Sequence, residues 1–342
     1  MNRYSKQMAL PDITQAHQGF LKGTKLLMVG AGGLGAPALP YLAGAGIGHI
    51  TISDADNVDI SNLHRQTIFK SADAGRNKAE LAAAYIRDLN PEINVTAITQ
   101  KITSAEQCQG FDIILDGTDN FESKSLLNKI SIETKTPLIG ASVEQFSGTA
   151  GIFAGLDSDA PCYHCLFPEL PIDCKSCNEA GILGTVAGLA GLWQAHLTLC
   201  FLLGIGDVGP GTIISMDFKT MRTQQLQLHK NPECKICKKS SYGAKKPVMT
   251  APQILPHIPL VHPDDLENHL IVDVRSFEEV FADPIENALH MPLQTLPAQY
   301  NELPTDKLLA FACSANIRSR KAAEYLYSMG YTNVCVLDRL TA

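Results

Sequence analysis

"MVGAGGLGAPALPYLAGAGIGHITISDAD", residues 28–56, decides the fold. It starts inside an apolar strand, "KLLMV" (25–29), and passes through a glycine-rich turn into a helix of small residues over 35–46. It ends on a second strand, "HITISD" (49–54). Gly30, Gly32 and Gly35 have the spacing G-x-G-x-x-G, with Gly33 beside them. The first glycine allows a tight turn, the second lets a phosphate approach the backbone, and the third permits close helix packing. Asp54 closes the second strand, where an acid meets ribose hydroxyls. Strand, turn, helix and acid in register point to a nucleotide site.

The same alternation continues outward. "GRNKAELAAAYIRDLNP" (75–91) reads as an amphipathic helix stopped by Pro91. Strands follow at 94–99 and 111–116, a helix at 120–134 and a strand at 137–141. Alternating strands and helices predict an α/β fold with a doubly wound, Rossmann-like parallel sheet. After about residue 145 the pattern changes to short strands such as 212–218 and 223–228, an antiparallel extension. "KKSSYGAKKPVMTAPQILPHIP" (238–259) is rich in Lys, Ser and Pro and has no period. It marks a linker over 239–258 between a first domain, 1–238, and a small C-terminal α/β domain, 259–342.

Composition narrows the function. A length of 342 residues suits two domains. The net charge of −7 gives no sign of nucleic-acid binding. "MNRYSKQMAL" has no basic-then-apolar leader, and ten cysteines in a cytoplasmic chain read as metal ligands and reactive thiols. From Gly181 to Gly206 no formally charged residue occurs, which is long enough for a membrane span. Yet cysteine pairs lie on both sides of it, and a single span would separate them across the bilayer. The stretch therefore reads as a core or dimer-interface helix, and no membrane is expected.

Those pairs are the clearest metal signal. Cys162-x-x-Cys165 and Cys234-x-x-Cys237 offer four thiolates, the set that a structural Zn²⁺ takes tetrahedrally. Charge then bears on the nucleotide. A pyrophosphate such as that of NAD is largely held by a helix N-terminus, whereas ATP needs cations and a metal ion. "NVDISNLHRQTIF" (57–69) supplies Asn62 and Arg65, Lys78 opens the next helix, and "DGTDN" (116–120) supplies Asp119, suited to Mg²⁺. Together these favour ATP, and no dehydrogenase-like constellation accompanies them.

"RYSKQ", "GAGGLG", "SNLHRQ", "DGTDN", "PCYHCLFPE", "CNEAGILG" and "NPECKIC" occur in this order over residues 1 to about 238. In this the chain resembles the ubiquitin-activating-enzyme-like adenylyltransferases of the MoeB/ThiF group. The resemblance implies adenylation of the C-terminal glycine of a ubiquitin-like sulfur-carrier protein. It implies Asp54 on ribose, Arg65 and Lys78 on phosphates, Asp119 on Mg²⁺, and a homodimer. The family often has Arg where Lys6 stands, reaching the partner's ATP; Lys keeps the charge without the planar fork. Cys174 and Cys177 form a third C-x-x-C in "PELPIDCKSCNEAG" (168–181). By resemblance this loop crosses the carrier's tail, and Cys177 matches a cysteine that some relatives link covalently to the carrier; a plain loop thiol is the alternative.

The last unit resembles a rhodanese domain, through "LIVDVRSFEEV" (270–280), "ALHMPL" (288–293), "LLAFACSANIRSRKAAEYLYSMGY" (308–331) and "NVCVLD" (333–338). Cys313 stands between a strand and a helix, where backbone amides lower a thiol pKa and hold a persulfide. Arg318 closes that loop in the family. The loop lacks a glycine usual in relatives, and "ADPIENA" (282–288) replaces their "GHIPGA". The expected activity is carrier adenylation, then sulfur transfer through a Cys313 persulfide to give a thiocarboxylate in a molybdopterin- or thiamine-type pathway. An upstream persulfide or thiosulfate supplies the sulfur. The alternatives are an adenylyltransferase with a rhodanese docking module, or a NAD-dependent oxidoreductase.

Overall fold

A computed structural model describes residues 3–10, 12–153, 160–168, 181–238, 258–266, 268–314 and 317–338. The chain divides into two compact units, one of residues 1–8 and 15–252 and one of residues 9–14 and 253–342. Except for Ile258, the expected linker lies outside the described residues.

The first unit carries α1 (Gln15–Gly23), β1 (Lys25–Val29), α2 (Gly35–Gly44), β2 (His49–Ser53), α3 (Lys78–Leu89) and β3 (Asn94–Ile98). Then come β4 (Ile113–Asp116), α4 (Phe121–Thr134), β5 (Leu138–Glu144), β6 (Ser147–Phe153), α5 (Tyr163–Leu166), α6 (Gly184–Leu203), β7 (Thr212–Asp217) and β8 (Arg222–Gln227). One sheet runs β3-β2-β1-β4-β5-β6-β7-β8. The first five strands in that order pair in parallel, and β6, β7 and β8 add antiparallel. In β1 only Lys25 is exposed, as expected of a strand covered on both faces. β8, "RTQQLQ", is exposed at every position, and its polar side chains blunt the free edge.

Two helices are shorter than the sequence pattern suggests. α3 begins at Lys78 rather than 75, because the Asn77 side chain caps it by accepting from the Glu80 amide at 3.1 Å, while Gly75 turns at φ +84°. α2 ends at Gly44 rather than 46, where Gly46 reverses the chain at φ +91°. α6 is the uncharged stretch. It is long and apolar enough to cross a membrane, but 67% of that window is buried inside the protein. At its centre Gln194 donates to the carbonyls of Asp116 (2.9 Å) and Ile139 (2.8 Å). This pins α6 to the sheet as a core helix.

The second unit holds β9 (Leu260–Val261), β10 (His269–Asp273), α7 (Phe277–Ala282), β11 (Leu289–His290), α8 (Leu296–Gln299), β12 (Leu308–Ala312), α9 (Ile317–Ser328) and β13 (Val334–Leu337). Its parallel sheet runs β11-β10-β12-β13-β9 around a core that includes Val272, Leu309, Phe311, Leu326 and Val336. Asn287 has φ +59°, and Asn tolerates the left-handed region better than other side chains.

Candidate functional site

The nucleotide loop sits where ligands bind in open parallel sheets. Neighbouring strands β1 and β4 lead away in opposite directions along the sheet order, opening a crevice at their carboxyl ends. The backbone there is tightly packed. Gly30 has φ +93°, and a Cβ on it would lie 2.8 Å from the Gly117 carbonyl oxygen. A Cβ on Gly35 would lie 2.1 Å from the Gly30 oxygen. Gly32 differs: a Cβ there meets nothing nearer than the Gln66 Nε2 at 3.6 Å. The space at Gly32 is what a phosphate approaching the backbone requires. Gly35→Ala is therefore expected to displace the loop, weakening nucleotide binding by about tenfold or more, as overpacking of 1–3 kcal/mol implies. Calorimetric titration with a non-hydrolysable ATP analogue checks this, and unchanged affinity would show that the contact does not shape the loop.

Polar groups gather around these glycines. Asp54 accepts from the Ala31 amide and the Asp56 amide, both at 2.8 Å. Burial raises its carboxyl above the usual range, and the two amides and Lys78 oppose that shift. Asn77 donates to the Asp54 carbonyl at 3.0 Å, tying the cap of α3 to the end of β2. Lys78 is buried, and its Nζ lies 3.4 Å from Asp56 Oδ2. From the other side, the Arg65 stem lies against Gly33, 3.3 Å from the position of a Cβ there. The Arg65 Nη2 donates to Asn62 Oδ1 at 2.7 Å. The fold thus brings Gly30, Gly32, Gly33, Gly35, Asp54, Asn62, Arg65 and Lys78 together.

The loop after β4 divides its two acids. Asp116 is buried and used internally. Its carboxylate accepts from Thr118 (amide 2.9 Å, hydroxyl 2.6 Å) and from the Lys124 ammonium at 3.2 Å. Buried Lys124 also donates to the Ala141 carbonyl at 2.7 Å. Asp119 is exposed at the same end of the sheet. One exposed carboxylate beside a phosphate site fits Mg²⁺, which keeps most of its water and takes phosphate oxygens. Lys6 is not brought to this loop. Its neighbours Tyr4 and Gln7 pack at Gly46 and Ala45, beyond the C-terminus of α2, whereas the glycine loop precedes the N-terminus. A ten-residue helix separates the two ends by about 15 Å.

The four cysteines converge. Their sulfurs lie within 4.8 Å of one another, and all four residues are buried. Cys162 and Cys234 are 3.8 Å apart at sulfur, Cys165 and Cys237 3.5 Å, too far for disulfides. Burial and neighbouring sulfurs push the Cys162 thiol up, and the Cys237 thiol to about 12. A divalent cation at the centre reverses that penalty by taking the sulfurs as thiolates. His164, inside the first pair, is engaged by Ser125 of α4 at 2.9 Å, which leaves the sulfurs as the donor set. The cluster fits a metal ion. Cys174 and Cys177 lie outside the described residues.

In the second unit Cys313 follows β12 and is buried. Its sulfur is 3.2 Å from the Ser319 hydroxyl and 3.4 Å from the Ser319 amide of α9. Residues 315–316 of the expected amide ring lie outside the described residues. Arg318 lies in the first turn of α9, and its guanidinium is held by Glu279 of α7. Sequence reasoning missed Glu279, although Ser276 and Glu279 have the S-x-x-E spacing of a capping box. It also missed Asn77 and Lys124, whose roles depend on tertiary partners.

A glycine loop at the sheet's switch point, flanked by an acid and two cations, defines a nucleotide-binding α/β protein, here carrying a second unit with a buried strand-end cysteine. The chain belongs to the ThiF family, whose model matches residues 4–236, and residues 262–339 match the rhodanese-like domain. It is 36% identical to the SAMP-activating enzyme E1 of Haloferax volcanii over 69% of this chain and 88% of that one. Identity to the sulfur carrier protein adenylyltransferase of Thermus thermophilus is also 36%, over 69% and 90%. A two-domain relative, the adenylyltransferase and sulfurtransferase MOCS3 of Drosophila grimshawi, is 31% identical over 87% of this chain and 72% of its own. The fold is shared with the crystal structure of E. coli MccB with MccA-N7isoASN, at TM-score 0.62 and 23% identity over 69% of this chain and 74% of that one.

Proposed function

We propose that the chain adenylates the C-terminal glycine of a ubiquitin-like sulfur carrier with ATP and then delivers sulfur to it from Cys313. The observation that carries this reading is the gathering of Asp54, Asn62, Arg65 and Lys78 around the glycine loop. The relatives' names, sulfur carrier protein adenylyltransferase and adenylyltransferase and sulfurtransferase, support it. Asp54 takes the ribose hydroxyls, while Arg65, steadied by Asn62, and Lys78 take the phosphates. Asp119 holds Mg²⁺, which when bound neutralises charge on the departing pyrophosphate. The carrier's carboxylate attacks the α-phosphorus, and an acyl-adenylate forms.

The terminal sulfur of a Cys313 persulfide then displaces AMP from the acyl carbon; a thiol attacks the Cys313 sulfur of the resulting acyl disulfide, the thiocarboxylate leaves, and a second thiol reduces the disulfide left on Cys313. The four cysteines hold Zn²⁺ as a structural ion. Cys177 serves as a further thiol on the carrier's path. Lys6 acts on the ATP of a partner in a homodimer, a reading its distance from its own loop supports. A cytoplasmic setting keeps these thiols reduced. The carrier belongs to a molybdopterin- or thiamine-type pathway.

Incubation with ATP, a sulfur donor and candidate carriers tests this, read by carrier mass and labelled pyrophosphate exchange. Cys313→Ala is expected to keep carrier-dependent exchange and lose the thiocarboxylate. Asp119→Ala is expected to lose exchange and still load sulfur on Cys313. Wild-type thiocarboxylate formation by Cys313→Ala, with no other sulfurtransferase present, would make the second unit a docking module.

A further inference from the structure

One stripe of α4 runs from the cysteine cluster to the nucleotide loop. Phe121, Ser125, Asn128 and Ile132 have the spacing i, i+4, i+7, i+11, which places them on one face of the helix. Ile132 packs against the four cysteines. Asn128 Oδ1 accepts from the Tyr163 amide at 2.8 Å. The Ser125 hydroxyl and His164 Nε2 share a hydrogen bond of 2.9 Å. The Phe121 and Phe167 rings meet edge to face, with centroids 6.1 Å apart. Tyr163 and His164 belong to α5, and Phe167 follows it. Cys162 precedes this four-residue helix and Cys165 lies within it. A single helical turn does not persist on its own. The place of α5 is therefore set by whatever its cysteines hold and by the stripe on α4.

The opposite end of α4 sets Asp119, which stands between two anchored residues. On one side, Thr118 is held by the Asp116 carboxylate, and that carboxylate takes the Lys124 ammonium at 3.2 Å. On the other, Asn120 caps α4 by accepting from the Ser123 amide at 2.9 Å. Lys124 and Ser123 both belong to α4, so a shift of that helix moves Asp119 from both sides. The middle of the stripe is polar. Ser125 and His164 are each 8% exposed. Burying a hydroxyl and an imidazole is costly unless they bond each other. Apolar groups pack in several registers, whereas this bond is satisfied in one. The pair thus fixes how α5 sits on α4.

Resting on the adenylation reading above, we propose that Ser125 and His164 are positioning residues that join the cysteine cluster to the nucleotide site. Through this pair a metal ion held by the four cysteines fixes α4, and α4 holds Asp119 where Mg²⁺ bound to ATP meets it. The cluster then does more than staple two chain segments: a loaded cluster favours Mg²⁺–ATP, and Mg²⁺–ATP favours a loaded cluster, because coupling between two binding sites is reciprocal.

The experiment measures the zinc affinity of the full-length protein by equilibrium competition with a zinc-selective chelator. Each protein is titrated alone and with Mg²⁺ plus a non-hydrolysable ATP analogue. In wild type the addition is expected to tighten zinc binding about fivefold, the worth of one buried hydrogen bond and within the usual range of such couplings. Ser125→Ala and His164→Leu should each reduce that factor below about twofold. His164→Gln, whose amide can still bond Ser125, should restore it. Thermal melts and zinc content establish that each variant is folded and loaded, and calorimetry with the analogue establishes that the nucleotide site is filled. A pair that only adds stability would lower the melting point and leave the factor at its wild-type value. Wild-type zinc affinity that does not respond to bound Mg²⁺ and analogue, or a full factor in both folded variants, overturns the proposal and leaves the adenylation reading standing. Failure of wild type to bind the analogue with Mg²⁺ in the calorimeter overturns that reading itself, and this proposal with it.

Discussion

Replacing Lys78 by methionine is expected to lower carrier-dependent ATP–pyrophosphate exchange roughly 10³-fold, at the upper end of what removal of one electrostatic contact to a transition state costs. The expectation follows from position. The Lys78 side chain is 8% exposed, so its charge acts in a poorly solvated setting, where it is worth far more than at the surface. It opens α3 beside Asp54 and Asp56. Without the ammonium, those two carboxylates face an incoming triphosphate uncompensated. Methionine keeps most of the stem's volume, so the fold should tolerate the change. Exchange kinetics of the folded variant, with loading of Cys313 as an internal control, provide the measurement. Exchange within tenfold of wild type would remove Lys78 from the proposed phosphate site.

Cys162→Ser and Cys237→Ser are each expected to lose the bound metal. Purified wild-type protein should carry about one zinc per chain, and each variant far less. The midpoint of thermal unfolding of the first unit should fall by at least about 10 °C, since the loss of a structural ion removes several kcal/mol from a domain of this size. Elemental analysis and a melting curve test this, and chelation of wild type should reproduce the shift. Full metal content in both variants would show that these cysteines pack without an ion.

Much of this protein could be read from residue types and spacing alone. The glycine loop was legible because each glycine answers a backbone demand: Gly35 abuts the Gly30 carbonyl, and Gly30 turns with positive φ. The paired C-x-x-C motifs were legible because few other arrangements need four thiols in two tight turns. β6 was not read as a separate strand. "SGTAGIF" holds two glycines and little β-propensity, and it is a strand because β5 and β7 pair with it on both sides. α1 is short and largely polar, so its helical period is faint. The starts and ends of α2 and α3 are set by caps and turns, which the apolar pattern does not mark. At the sites, the ligand-facing residues follow local motifs. Their supports do not: Glu279 meets Arg318 across 39 residues of sequence, and Lys124 reaches back to Asp116 from the next helix. Such pairs exist only once the chain has folded.

The four-sulfur cluster also has a topological consequence. Cys162 and Cys165 lie 72 positions before Cys234 and Cys237, respectively. A metal held by all four closes the intervening chain into a ring that contains α6, β7 and β8. Within a ring, one break of the backbone does not separate the ends. A protease that cuts between residues 169 and 180 would therefore leave both fragments joined through the metal, in addition to their shared sheet. Such a nicked protein should run as one species on a native gel and fall into two pieces when denatured with a chelator present. The ion also limits how far the two ends of this segment can separate in the unfolded chain, so refolding with metal bound starts from a smaller set of conformations than refolding without it.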